Sequence, residues 1–211
     1  MRGLVIAVMA LVPATCGLSC GGDDDGGAAV SSGLPASTML SELDAQEVMD
    51  ACGQIVVSLD AALSSELERF NCTLRAVPMS ISVTLSGQTM GDPAKSRELR
   101  DRCLAGEDIG GTVQPVMVQP VGSQINCTAP AAVAATQSCE ATVGEYESCL
   151  DAIVANAQTS FRRLDCSLVA DPSQLQNAMQ PPPPPQPQVC ADLDARCPQL
   201  GIGRIGASAS P

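Results

Sequence analysis

Apolar positions along the chain fall into two long helical stripes. The first is Val48, Cys52, Ile55, Val56, Leu59, Leu63, Leu67 and Phe70. Recurrence mostly at three and four residues keeps one face of a helix apolar. Asp44 and Glu47 stand ahead of it as an Asp-x-x-Glu capping box, in which two backbone N–H groups of the first turn find side-chain acceptors. The second stripe is Tyr146, Cys149, Leu150, Ile153, Ala157, Phe161 and Leu164, behind the same kind of box at Thr142 and Glu145. A shorter helix is expected after each. The first opens at Asp92-Pro93, a cap followed by a first-turn proline. Pro187 sits at the matching place of the second, and Leu99 and Leu193 are expected to face inward. Residues 80–85, SISVTL, alternate like a half-buried strand.

The stripes belong to a repeated pattern. Residues 67–74, LERFNCTL, match 161–168, FRRLDCSL. Upstream, VMDAC ending at Cys52 matches EYESC ending at Cys149. Downstream, PAKSRELRDRC ending at Cys103 matches PQVCADLDARC ending at Cys197. Three landmarks in one order argue for duplication. The fold expected is therefore mainly α: two duplicated, disulfide-stapled helical units, each a long helix plus a short one, with at most a small β element. Unit 1 is read over 39–103 and unit 2 over 139–198. Residues 104–138, rich in Ala, Pro, Gly and Val, read as a linker, and 199–211 as a disordered tail. The proline run 181–185 reads as a stiff spacer.

The N-terminus has a different character. Met1 and Arg2 precede an apolar run over 3–13, GLVIAVMALVP. That is too short to span a bilayer and suits a secretory signal. The stretch resembles a bacterial lipoprotein signal over 1–19, in which cleavage precedes a cysteine that receives a lipid. Leu18-Ser19-Cys20 closes the motif, which makes Cys20 the lipidated residue. Gly17 stands where the pattern prefers Leu, and Cys16 is the rival. Residues 20–38, with GGDDDGGAAVSSGLPAST after Cys20, read as a flexible acidic tether. An 18-residue random coil spans roughly 25 Å. The alternative is ordinary secretion without a lipid.

Composition sharpens the cysteine question. Phe70, Tyr146 and Phe161 are the only aromatics, so the core must be built from smaller aliphatic side chains. Eleven cysteines can supply the missing rigidity, at about 2–4 kcal/mol per disulfide. Their number favours an oxidising compartment. With Cys16 and Cys20 set aside, nine remain, so one is unpaired. Sequence alone leaves the pairing open. A short helix packed antiparallel on its long helix favours Cys52–Cys103 and Cys149–Cys197. Cys166–Cys190 and Cys72–Cys127 then complete the set, and Cys139 is the possible free thiol.

Catalytic chemistry finds little support. The chain contains no histidine and one lysine, Lys95. Ser-His-Asp and Cys-His catalysis and histidine metal sites are excluded. There is no C-x-x-C; the closest spacings are Cys16 to Cys20 and Cys190 to Cys197. Asp23, Asp24 and Asp25 lack the bidentate Glu of a calcium loop. No catalytic residue, cofactor or metal ligand is assigned. The net charge of −12 offers no basic stripe for nucleic acid. The apolar run 114–121, QPVMVQPV, is expected to be buried.

Taken with the start CGGDDD at 20–25, CEATVGEYESC at 139–149, Leu164-Asp165-Cys166 and CADLDARCP at 190–198, the pattern resembles uncharacterised Cys-rich lipoproteins of myxobacteria and related delta-proteobacteria. The resemblance implies an envelope location, facing periplasm or exterior, and no particular activity. The reading is a non-enzymatic binding or structural lipoprotein, held to a membrane by its lipid and meeting an envelope or extracellular partner. The alternative is an extracytoplasmic thiol-redox or metal-binding protein using the unpaired cysteine.

Overall fold

The computed structural model describes residues 29–83, 89–110, 127–128, 130–179 and 185–200. The signal stretch, Cys16, Cys20, residues 20–28 of the tether, the run 114–121, prolines 181–184 and residues 201–211 lie outside them. The described fold is mainly α. Helix α1 runs Ala45–Met79 and α2 Pro93–Leu104. Helix α3 runs Pro130–Gln137 and α4 Val143–Arg162. Helix α5 runs Pro172–Met179 and α6 Gln188–Arg196. Strands β1, Ile81–Val83, and β2, Thr89–Gly91, form one antiparallel pair with Ile81 opposite Gly91.

The long helices start where their boxes place them. Asp44 accepts from the N–H groups of Gln46 and Glu47, while Glu47 accepts from the N–H of Asp44. Thr142 and Glu145 make the same reciprocal pair. Helix α1 is 35 residues long, about 50 Å. Its face turns midway. Val48, Ala51, Ile55, Leu59, Ala62, Leu63 and Leu67 are buried first, then Cys72, Thr73, Ala76 and Val77. The first set meets α4, where Leu150 and Val154 share a core with Ile55, Leu59, Ala62 and Leu63. The second meets α2 and the segment after α4. Ala76 packs with Leu99 and Ile109, and Val77 with Leu164, Val169 and Leu175.

Helices α1 and α4 lie parallel. At their starts Leu40 donates its N–H to the Ala141 carbonyl. Further along, the Gln158 amide reaches the Ala62 carbonyl at 3.0 Å and Arg162 pairs with Glu66 at 2.7 Å. The two stretches read as separate units therefore share cores: Leu40, Leu43 and Val48 pack among Cys139, Val143, Cys149 and Leu193. Within 104–138, read as a linker, the structure has α3. Its sequence PAAVAATQ supplies a first-turn proline and strong helix formers. Residues 198–200 are also ordered, as a 3-10 turn with Gln199 bonded to Ser138.

Helix α6 runs antiparallel along α4. The Asn156 amide meets the Pro185 carbonyl at one end, and Arg196 pairs with Glu145 at 2.8 Å at the other. The Glu145 carboxyl sits below the usual carboxylate range, first through the Arg196 hydrogen bond and then through the Thr142 N–H. A lowered folded pKa stabilises above the unfolded carboxylate range and is lost as pH falls through the folded value. Glu145→Gln keeps the cap acceptor and removes the charge. Screened by solvent, that charge is worth less than about 1 kcal/mol. Urea midpoints of Glu145→Gln should be slightly low at pH 7 and should converge with wild type in strong acid.

Candidate functional site

Two features concentrate the chain's polar and reactive groups: the cysteine framework and an N-terminal arm. Eight cysteines form four bridges. Cys52 joins Cys127 with Cα atoms 5.5 Å apart, and Cys72 joins Cys103 at 5.6 Å. Cys139 joins Cys197 at 4.9 Å, and Cys149 joins Cys190 at 4.8 Å. Cys166 is free and fully buried.

This map corrects every expected pair. Cys52–Cys103 fails on reach. Helix α2 folds back from the end of α1, where the Asp92 N–H donates to the Ser80 carbonyl. Its 12 residues bring Cys103 alongside Cys72. Cys52 lies another 20 residues up α1, about 30 Å further on. Cys52 instead takes Cys127, the partner expected for Cys72. Cys149–Cys197 and Cys166–Cys190 fail on register. Antiparallel α6 does bring its end to the start of α4, but Cys190 already lies beside Cys149. Cys197, seven residues on, overshoots the α4 N-terminus and meets Cys139 in the approach to it. Cys139 is thus bridged and Cys166 is the free thiol, the reverse of the expectation. The bridges also do not repeat: Cys72 is bonded while its counterpart Cys166 is free.

Cys166 opens a 3-10 helix, Cys166–Ala170, whose cap Asp165 accepts from the Ser167 N–H. That bond is the main cause holding the Asp165 carboxyl below its ordinary range. On α2, Arg100 is held charged chiefly by its hydrogen bond to Asp101, with the Asp101 and Asp165 carboxylates also favouring the cation. One turn before Arg100, the Ser96 hydroxyl is buried without a hydrogen-bond partner among the described residues. Among the described residues, no three His, Cys, Asp or Glu side chains gather where they could hold a metal ion.

The arm covers residues 29–38, which composition assigns to the flexible tether. It is fixed. The Val30 N–H donates to Asp151 at 2.7 Å. The Ser32 N–H and hydroxyl both donate to Glu147, at 2.6 and 2.7 Å. Ser58 on α1 donates to the Ser31 carbonyl at 3.1 Å. Further along, the Ala36 and Thr38 carbonyls accept from Gly144 and Val143. Those N–H groups are among the four that every helix start leaves unpaired. Val30 is buried with Ile55, Leu59, Leu150 and Val154, so the arm fills the α1–α4 groove. The sequence signal was slight: Val30 and Leu34 among small residues, and carboxylates four apart at Glu147 and Asp151.

No described helix is long and apolar enough to cross a membrane. Family models, curated proteins and solved structures were all compared with the chain, and none matches it.

Proposed function

We propose that this chain is the stapled body of a cell-envelope lipoprotein. It is anchored through a lipid on Cys20 and serves as a non-enzymatic binding or structural module on the periplasmic or outer face. The observation that supports this most is the state of the cysteines. Eight close four bridges, a density that suits an oxidising compartment. The ninth, Cys166, has 0% exposure. A thiol without solvent access is a poor nucleophile, which counts against a thiol-redox role. The chain's acidity supports a partner other than nucleic acid.

The test is intact mass and peptide mapping of native protein, with thiol labelling before and after unfolding. The expected result is an acylated Cys20 at the new N-terminus, the four bridges above, and Cys166 labelled only after unfolding. A mature chain cut elsewhere and free of lipid would sink the anchor. Fast labelling of Cys166 in the folded protein would sink the non-redox reading.

A further inference from the structure

We propose that the arm is a strap that sets how far the body stands from the membrane. The proposal rests on the lipid anchor at Cys20. A tether flexible to Thr38 would let the body reach about 60 Å from its anchor when fully extended. The strap shortens that reach, because the chain is already fixed at Val30. Ten residue steps separate Cys20 from Val30. They span at most about 35 Å extended.

The strap is built as a part rather than a loose end. Val30 is 3% exposed and Ser32 4%. Their two N–H groups and the Ser32 hydroxyl are taken by carboxylates four residues apart on one face of α4. The Gly144 N–H is bonded to the Ala36 carbonyl, and a Cβ at Gly144 would press on Ala36 at 2.9 Å. Backbone hydrogen bonds, a buried side chain and close packing thus hold the same ten residues. Release of the strap back to buried Leu40 would double the number of residue steps between the anchor and the first fixed residue. The body therefore works beside the bilayer surface, and its partner is a component exposed there.

The test uses full-length lipidated protein in vesicles. A fluorescent residue at Gln54, exposed on α1 beside Gly33, transfers energy to a headgroup-labelled lipid. The wild type should transfer strongly. An insertion of ten Gly/Ser residues after Gly27 leaves the body untouched and should lower transfer clearly. Glu147→Ala/Asp151→Ala, checked for retained helix by circular dichroism, should lower it in the same direction. Wild-type transfer as weak as that of the insertion overturns the strap, as does unchanged transfer in the double variant. Amide exchange separates the two readings. Slow exchange at Val30 and Ser32 is expected, and fast exchange removes the strap while leaving the anchor. A mass without lipid removes the anchor, and the standoff with it, while slow exchange would still show the arm bound.

Discussion

Replacing Cys139, Cys149, Cys190 and Cys197 together by alanine is expected to lower the unfolding free energy by about 7 kcal/mol. The figure follows from how the two bridges nest. Cys149–Cys190 has a sequence separation of 41, and closing that loop restricts the unfolded chain by about 4 kcal/mol. Cys139–Cys197 has a separation of 58. With the inner bridge in place it closes only the short segments 139–149 and 190–197, worth about 3 kcal/mol. Removing the outer bridge alone should therefore cost about 3 kcal/mol rather than the roughly 4 kcal/mol of an isolated loop of its length. Alanine is the right replacement because all four side chains are fully buried, and it brings no new polar group into the core. Denaturant midpoints of both paired variants and the fourfold variant would measure this. Strictly additive losses would show that the unfolded chain does not respond as nested loops. No loss at all would remove the stapled-body argument.

What could be read ahead of the structure was local. The starts of α1, α2 and α4 were legible because a cap is decided within four residues, by Asp44 with Glu47, Asp92 with Pro93, and Thr142 with Glu145. The alternation of 80–85 marked β1 but not its partner β2. Helix α3 carried its own signal in Pro130 and the alanines, masked by the Gly/Pro/Val character of its surroundings. The bridges were not legible. Each depends on where a helix ends and on which residue of its neighbour lies level with it. Apolar spacing ended α1 near Phe70, whereas it continues to Met79, and this moved the fold-back point of α2. The arm was illegible for a related reason. Within 29–38 only Val30 and Leu34 hint at order; the acceptors, Glu147 and Asp151, lie more than a hundred residues away.

Gly91 is expected to tolerate no side chain. It closes β2 opposite Ile81 and lies directly on the 3-10 helix Cys166–Ala170. A Cβ there would fall inside the carbonyl group of Val169 and 2.7 Å from its Cβ. The obstacle is backbone, so no rotamer change relieves it; either the hairpin or the 3-10 helix must move. Val169 is 2% exposed and packs with Val77, Leu164 and Leu175. Moving it opens that core. Gly91→Ala should cost about 3 kcal/mol, the upper end for overpacking, and Gly91→Val more. Gly53 gives the opposite sign for the same chemical change. It lies inside α1, and a methyl group added there would meet nothing within 4 Å, so Gly53→Ala should stabilise by about 1 kcal/mol. The two variants differ in a second readout. Cys166 begins the helix that Gly91 touches, so Gly91→Ala should speed its labelling in the folded protein, while Gly53→Ala should not. A Gly91→Ala protein with wild-type stability and an inert Cys166 would refute the contact.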